Sequence, residues 1–458
     1  MFVSLRRVLG SGSAALLCAS TAVAFVPFDI HSLSYNTIGG GLFAAGLVLA
    51  YCPSGRAWLV VAGVCHGLAV FAYPSLAVAV IVCFGLRIAL EPVRWRRELV
   101  AYGVPAFVVA AAAFGSVLAE AGWHNLVTGY HRSSDYLGHA GGIGKIGRVF
   151  SHEGSTLHYW WLVLPALVLL AVLWFRRRRL AAIVLLLLPL LVLPGSLSNS
   201  FESPPYTATL EYVAHYGALA LPLLVLVWPR AEARRLFVSV WIPSLVAGFA
   251  TAYSSNNGAV NFGIGFFPAS LVTTAFLLWA LEDTGLGVAA LLPAALVPVL
   301  LVMFGGQIYR DGPFSNMTTA AAGPYAGIRT SLNKKLFLDQ FRNDLARRAP
   351  DCRIVFFRDF PAGYLLARQR PDTNSIWIAT VAQNRTDAYQ QTVVDYWRNH
   401  GLPDLVVLVH RIPYSARRAA RTEHYRQNTP LLETLKDSYR LFGTHYNYDL
   451  YERLSSNC

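Results

Sequence analysis

The sequence contains few charged residues for its length. Only 14% of its 458 residues are Asp, Glu, Lys or Arg, whereas 55% are hydrophobic. Because ordinary globular domains carry about 25% charged residues, this composition excludes a wholly soluble protein and indicates an integral membrane protein. The net charge of +13 does not point to a nucleic-acid partner, since arginines that flank membrane spans raise the charge in the same way.

Cysteines are scarce, and no Gly-rich phosphate loop stands at a strand-to-helix turn, so a nucleotide site has no support. Four of the six cysteines fall in or beside apolar runs without metal-ligand spacing and are expected to be small core residues: Cys18, Cys52, Cys65 and Cys83. Only Cys352 and Cys458 remain as a pair that can meet in an oxidising compartment.

Long apolar runs dominate residues 1–304 and predict an α-helical polytopic membrane protein with about ten to eleven transmembrane helices. The first run, 14–28, is either a signal peptide that ends near Ala22-Val23-Ala24 or a retained span. The others are 37–51, 57–71, 73–90, 99–119, 157–175, 180–197, 212–228, 236–252, 262–280 and 286–304.

Basic residues in short loops predict the orientation, because such residues stay on the cytoplasmic side. Three clusters lie in these loops: Arg94, Arg96 and Arg97; Arg176–Arg179; and Arg230, Arg234 and Arg235. If all three lie inside and the spans alternate, then 120–156, 198–211, 253–261 and everything after residue 304 lie outside. We therefore expect a multi-pass cell membrane protein with an extracytoplasmic C-terminal domain.

Residues 305–458 have the composition of a soluble domain. Their pattern alternates strands with helices, which predicts a small α/β domain. The predicted strands are Arg353–Phe357, Ser375–Ile378, Asp404–His410, Tyr439–Tyr446 and Tyr448–Arg453, and the predicted helices are Lys334–Arg348, Asp387–His400 and Pro430–Asp437.

The polar segment Glu120–Leu157 interrupts the apolar region and holds four of the 12 histidines. Connections between spans are usually short, so this segment is either a catalytic or ligand-covering loop or an interfacial helix followed by a Gly-rich connector. Its histidines have irregular spacing that matches no helical ligand pair, and we therefore predict no metal site there.

Two segments of the membrane region resemble a known superfamily. The step Ser32–Asn36, which runs into Thr37–Gly41, and the run Val60–Ala69 in the next span resemble polytopic GT-C-type glycosyltransferases. Gly323–Ile328 also looks like a segment of uncharacterised bacterial members. The resemblance implies transfer of a sugar from a polyprenyl-phosphate carrier to a glycan, lipid or protein acceptor at the outer face of a bacterial membrane.

The chain departs from that superfamily in one respect. GT-C enzymes place a catalytic Asp or Glu in a large outer loop after the first span, whereas the corresponding stretch here is only Asp29–Asn36. Either the chain begins partway into the family's fold, or the protein has lost that chemistry and needs another base. A partner subunit that supplies the loop is a further alternative.

Transfer from a lipid-phosphate sugar requires a carboxylate to accept the acceptor's proton, and cationic groups or a divalent cation to stabilise the departing phosphate. The residues below share only their predicted place at the outer membrane interface, and each is equally explained by a span end or a solvated loop. The catalytic candidates are Asp29, Asp135 and Glu153, with Glu202 and Glu211 in similar positions. The lipid-phosphate-binding candidates are His31, Arg132, Lys145, Arg148 and Arg310.

A non-enzymatic role is the competing hypothesis, either as a transporter or as an assembly or binding subunit on the same scaffold. A transporter should place ionisable residues near the bilayer midplane. Apart from Arg87, the runs contain almost no charge, which weighs against a transporter and leaves the subunit hypothesis open. Inside the spans, His66 and His215 are expected to be packing residues. Asn256, Asn257 and Asn261 either bind sugar hydroxyls or form a turn.

Overall fold

A computed structural model of the chain describes residues 2–24, 35–51, 55–128, 147, 231–255, 261–283, 297–298, 314–357, 360, 363–373, 386–409, 430–445, 447–456 and 458. These residues form two compact units. The helical unit comprises the described residues up to 298, and the sheet unit comprises those from Phe314 onward.

The helical unit is built from apolar helices. They are α1 (Phe2–Leu9), α2 (Gly12–Ala24), α3 (Tyr35–Tyr51), α4 (Gly55–Ala72), α5 (Leu76–Leu90), α6 (Pro92–Ala121), α7 (Ala231–Tyr253), α8 (Phe262–Phe266) and α9 (Ala269–Asp283). Three of them, α4, α6 and α7, are long and apolar enough to cross a membrane, and α5 is a shorter apolar helix.

The predicted count of ten to eleven spans is not supported by the described residues, which provide those three helices of spanning length. Prolines shorten or interrupt several predicted runs, because proline has no N–H to donate. The run 73–90 becomes α5, which begins after the turn at Pro74, and the run 262–280 breaks between α8 and α9 at Pro268. The runs 157–175, 180–197 and 212–228, and 286–304 apart from residues 297–298, lie outside the described residues.

Proline also changes the winding of the two longest helices. A π segment at Leu99–Gly103 in α6 precedes Pro105, and another at Phe237–Trp241 in α7 precedes Pro243. A proline ring clashes with the carbonyl four residues earlier, and a wider turn relieves that clash. Both helices therefore continue through their prolines rather than ending at them.

Small residues let the helices approach closely. A methyl group added to Gly63 of α4 would lie 2.4 Å from the carbonyl oxygen of Tyr102 in α6, and one added to Gly67 would lie 2.6 Å from that of Ala106. Such backbone contact is how membrane helices pack without a hydrophobic driving force between them. Helix α2 also packs in this unit against α9, with Cys18 fully buried.

Ion pairs gather several helix termini at one end of the unit, here called the arginine end. Glu91, between α5 and α6, pairs with Arg94 at 2.8 Å and with Arg235 of α7 at 3.0 Å. The Tyr51 hydroxyl at the end of α3 donates to the Glu232 carbonyl at 3.5 Å. Two of the three basic clusters identified in the sequence therefore lie at the same end.

The sheet unit contains a two-stranded hairpin, β1 (Thr319–Ala320) with β2 (Arg329–Thr330), and a five-stranded mixed sheet. The sheet order is β4-β3-β5-β7-β6, in which β3 pairs in parallel with β4 and β5, and β7 pairs antiparallel with β5 and β6. Its strands are β3 (Arg353–Phe357), β4 (Arg370–Pro371), β5 (Leu405–Val409), β6 (Tyr439–Thr444) and β7 (Tyr448–Arg453).

Helices cover both faces of this sheet, as expected for strands that are buried on both sides. One core joins α10 (Leu332–Ala346) and α11 (Gly363–Leu366) to Phe356 and Val407. The other joins α12 (Thr386–His400) and α13 (Pro430–Ser438) to Val355 and Val406. The predicted α/β arrangement of this region is therefore observed, although the predicted strand Ser375–Ile378 lies outside the described residues.

A disulfide joins Cys352, beside β3, to Cys458 after β7, with 6.1 Å between their Cα atoms. This is the pair that the cysteine distribution singled out. Cys18 and Cys83 are free and buried, and Cys65 is free and half-buried. Cys52 lies outside the described residues.

Candidate functional site

None of the residues predicted to carry catalysis or lipid-phosphate binding lies in the described part of the chain. The three carboxylates (Asp29, Asp135 and Glu153) and the five phosphate-binding candidates (His31, Arg132, Lys145, Arg148 and Arg310) all fall in the gaps, as do Glu202 and Glu211. Their roles stay predictions.

The described residues instead assemble a polar cluster at the end of the helical unit opposite the arginine end. We call it the Tyr73 cluster, and it consists of Asn36, Tyr73, Thr251, Ser254 and Asn261. The Tyr73 hydroxyl donates to the Thr251 carbonyl at 3.4 Å and accepts from Asn261 Nδ2 at 3.2 Å. The Thr251 hydroxyl donates to the Asn261 carbonyl at 2.8 Å. Four helix ends therefore meet around one phenol.

Asn36 joins the cluster through the packing of α3. A methyl group on Gly39 would lie 2.9 Å from Tyr73 Cβ, and one on Gly40 would lie 2.8 Å from the Ile264 carbonyl oxygen. Asn36 lies three and four residues before these glycines and so shares their face of the helix. Asn261 precedes Ile264 by three residues, which places both asparagines about one turn from the Gly40–Ile264 contact.

The two asparagines leave hydrogen-bond acceptors unused. Asn36 is 6% exposed and Asn261 is 2% exposed, and neither Oδ1 atom has a hydrogen-bond partner among the described residues. An unsatisfied buried polar group costs about 1–3 kcal/mol. A hydroxyl or amine donor that reached these oxygens would recover that cost.

Sequence reasoning found only part of this cluster. Asn261 was a candidate for sugar hydroxyls, and Asn36 belonged to the segment that carries the superfamily resemblance. Tyr73 was only the first residue of the predicted run 73–90, and Thr251 was not singled out. Tyr73 and Asn261 are separated by 188 positions, and no local pattern signals a contact at that distance.

His66 is a satisfied packing residue, as the sequence predicted. Its side chain is fully buried, its Nδ1 atom is hydrogen-bonded to the Tyr102 hydroxyl, and its Nε2 atom lies 3.1 Å from the Phe43 carbonyl oxygen. With both ring nitrogens engaged, the imidazole links α3, α4 and α6 and is not free to bind a ligand.

Arg87 also has a structural partner. Its guanidinium makes two hydrogen bonds to the Glu98 carboxylate, at 2.8 and 3.0 Å, and a third to the Ala50 carbonyl. This bidentate geometry is the strongest form of an ion pair. The charge inside the apolar region is therefore compensated by α6 and joins the carboxyl end of α5 to α3.

The sheet unit contains a charged network at the amino ends of β3 and β5. Asp404 accepts from the Arg353 backbone N–H at 2.9 Å and from Arg453 Nη2 at 2.8 Å, while Asp372 pairs with Arg353 at 3.2 Å. Burial raises the pKa of the Asp372 carboxyl above its ordinary value, and Arg353 offsets only part of this effect. The network connects neighbouring strand ends, and its hydrogen bonds and ion pairs hold them together.

A second group in the sheet unit joins α10 to β7. Asp344 lies 3.0 Å from His445 Nε2 and accepts from the Tyr448 hydroxyl at 2.6 Å, and Gln340 Nε2 lies 2.7 Å from His445 Nδ1. Burial and the Asp344 hydrogen bond raise the pKa of Tyr448 well above its ordinary value. Because both His445 nitrogens are engaged, this group does not offer a free general base.

Comparison with known proteins adds no relative. No family model, curated protein sequence or solved structure matches this chain.

Proposed function

We propose that this chain is a membrane glycosyltransferase-like protein of the bacterial envelope. It transfers a sugar from a polyprenyl-phosphate donor to a glycan, lipid or protein acceptor on the outer face. The observation that carries the proposal is the Tyr73 cluster, in which two buried carboxamide oxygens lack donors. Sugar hydroxyls supply such donors, and the cluster includes Asn36 from the segment that resembles the GT-C superfamily.

The proposed orientation of the helical unit in the membrane follows from the position of the arginine end. Arg94 and Arg235 lie at one end of the helical unit with the Glu91 carboxylate between them, and basic residues favour the cytoplasmic side. The Tyr73 cluster then faces outward, where the head group of the lipid-linked donor lies. The Cys352–Cys458 disulfide supports an extracytoplasmic sheet unit, because disulfides persist in oxidising compartments.

The predicted multi-pass topology agrees with this sidedness. Helix α6 begins at the arginine end and α7 also begins there, so if both span the membrane, the proposed topology needs an odd number of crossings between them. The sequence places three apolar runs in that interval: 157–175, 180–197 and 212–228. After α9, the run 286–304 crosses once more and brings residues 305–458 outside.

In this proposal the chemistry is supplied by residues predicted at the outer face. They lie in Asp29–Asn36, in the polar segment Glu120–Leu157 and after residue 304. Asp29, Asp135 or Glu153 accepts the proton of the acceptor hydroxyl as it attacks the sugar carbon. His31, Arg132, Lys145, Arg148 and Arg310, or a divalent cation, stabilise the phosphate that leaves. The Tyr73 cluster holds hydroxyl groups of the bound sugar and carries no acid–base role.

A non-catalytic binding or assembly subunit is the second candidate, and one observation favours it. The Tyr73 cluster is composed of amides, hydroxyls and a phenol, which bind neutral groups but supply no general base near pH 7. A protein that holds a lipid-linked sugar for a partner subunit would need such a cluster and nothing more.

The test measures binding and transfer separately, with full-length protein in liposomes and a radiolabelled polyprenyl-phosphate sugar. Asn36→Leu should weaken binding without lowering stability, because that side chain has no hydrogen-bond partner for its Oδ1 atom among the described residues. Asn343→Leu is the matched control, since Asn343 is exposed on α10 of the sheet unit, outside the polar segment and the Tyr73 cluster.

Transfer that is abolished by Asp29→Asn or Asp135→Asn with binding retained would support the enzyme. Binding without transfer to any acceptor would favour the subunit. If the wild-type protein binds no polyprenyl-phosphate sugar, or if Asn36→Leu and Asn343→Leu bind equally well, the proposed role of the Tyr73 cluster is wrong.

A further inference from the structure

The sheet unit exposes four large aliphatic side chains around the start of α10. Ile328, Leu332, Leu336 and Leu365 are 57%, 56%, 56% and 63% exposed. Isolated exposed leucines are common on soluble proteins, whereas contiguous ones mark an interaction surface.

The packing brings together the segments that carry these four side chains. Leu332 and Leu336 are one turn apart and lie on the same face of α10, opposite the buried Phe337 and Phe341. Ile328 precedes α10 by four residues, and α11, which carries Leu365, packs against both α10 and the turn Gly323–Tyr325. We call this surface the Leu336 face.

The exposed side of α10 becomes polar along its length. After Leu332 and Leu336, the next exposed positions on that side are Gln340, Asn343 and Arg347. The apolar character is thus confined to the first half of the helix. This change from apolar to polar residues along the helix matches a partner that changes from an apolar layer to water.

Basic residues accompany the Leu336 face. Arg329 is exposed beside Ile328, and Arg368 is exposed two residues after α11. Arg342 lies beside the turn, where its guanidinium would be 2.9 Å from a methyl group on Gly323. Exposed leucines with flanking arginines are the composition of surfaces that bind the interface of anionic bilayers.

The length of chain before the sheet unit also points to a bilayer. The last predicted span ends at residue 304, and the sheet unit begins at Phe314. The residues between them, 305–313, reach at most about 30 Å when fully extended. If 286–304 spans the membrane, Phe314 lies within that reach of its surface, and the Gly323–Ile328 segment, which the proposed function does not use, begins nine residues later.

We propose that the Leu336 face docks on the outer surface of the lipid bilayer, with Ile328, Leu332, Leu336 and Leu365 in the interfacial region and Arg329 beside anionic head groups. This docking rests on the membrane span predicted at 286–304 and does not depend on glycosyl transfer. It gives the sheet unit a fixed depth at the membrane.

The test uses the full-length protein in liposomes that contain brominated lipids, which quench a nearby fluorophore. A bimane label is attached to Leu336→Cys, and the matched control carries it at Asn343→Cys, which is exposed two turns later on the same helix. The wild-type chain, labelled in parallel, gives the background from the native thiols. Retention of the Cys352–Cys458 disulfide reports that each variant has folded.

Bimane at Leu336→Cys should lose most of its fluorescence in brominated liposomes, and bimane at Asn343→Cys should lose little. Replacing anionic phosphatidylglycerol with phosphatidylcholine, or Arg329 with Gln, should reduce the quenching at position 336. Equal quenching at the two positions would overturn the proposal. So would a label at position 336 that is shielded from both brominated lipid and aqueous iodide, because a protein surface would then cover this face.

Discussion

Two glycine-to-alanine substitutions should change stability in opposite directions. Gly63 lies in α4 against α6, where a methyl group would be 2.4 Å from the Tyr102 carbonyl oxygen and 3.2 Å from Pro105 Cβ. Gly85 lies in α5, and a methyl group there would have nothing within 4 Å. The two sites therefore differ in packing while the chemical change is the same.

The expected magnitudes follow from two opposing effects. Alanine is favoured over glycine in a helix by about 0.8–1.0 kcal/mol, so Gly85→Ala should raise the free energy of unfolding by up to about that amount. At Gly63 the same gain is opposed by overpacking. Because ordinary C···O contacts are about 3.3–3.6 Å, α4 and α6 must separate by about 1 Å, and overpacking of this kind costs about 1–3 kcal/mol.

Thermal unfolding of the purified full-length variants, followed by the fraction that remains monodisperse after heating, measures this difference. Gly63→Ala should unfold at a lower temperature than the wild type, and Gly85→Ala at the same or a higher temperature. If both substitutions raise the unfolding temperature equally, then α4 and α6 do not meet at Gly63 and the described helix packing is wrong.

Three further predictions concern covalent and ionic contacts. Replacing Cys352 and Cys458 with Ser should destabilise the sheet unit by up to about 4.7 kcal/mol, the value expected for a loop of about 100 residues, measured by hydrogen exchange. Unreduced protein that reacts with maleimide at these positions would contradict the disulfide. Glu98→Gln should cost about 3–5 kcal/mol by leaving Arg87 unpaired, and replacing both partners with apolar residues should recover much of that loss in thermal unfolding. The raised pKa of Asp372 means that the folded state binds its proton more tightly, so stability should fall as pH rises above the usual Asp value of about 3.9; Asp372→Asn should flatten this part of the stability–pH curve.

The sequence predicted strands and helices well where apolar residues are continuous or periodic. The predicted bounds of β3 and β7 coincide with the observed ones, and α12 begins one residue earlier than expected. Strand β4 was missed because Arg370 and Pro371 are both exposed, so no pattern of burial marks them. Their place in the sheet depends on backbone bonds from the Arg370 and Asp372 N–H groups to the Cys352 and Ile354 carbonyls, which leave no trace in the side-chain pattern.

Most of the Tyr73 cluster was not predicted from the sequence, for a different reason. Each member of the Tyr73 cluster has an ordinary explanation on its own, as a turn residue or a helix end. Only the approach of α3 at Gly39 and Gly40 brings Asn36 toward Tyr73, and close helix contacts of this kind depend on three-dimensional packing. The ion pair of Arg87 was hidden in the same way, since Glu98 belongs to a neighbouring helix.

The position of β7 has a consequence for the order of folding. This strand follows every other described strand in the chain, yet it lies between β5 and β6, and β6 has no other neighbour in the sheet. Until Tyr448–Arg453 have been synthesised and have paired with it, β5 keeps one open edge, which is a site for pairing with other chains. Completion of this sheet by the last strand therefore has to outpace intermolecular pairing at the β5 edge.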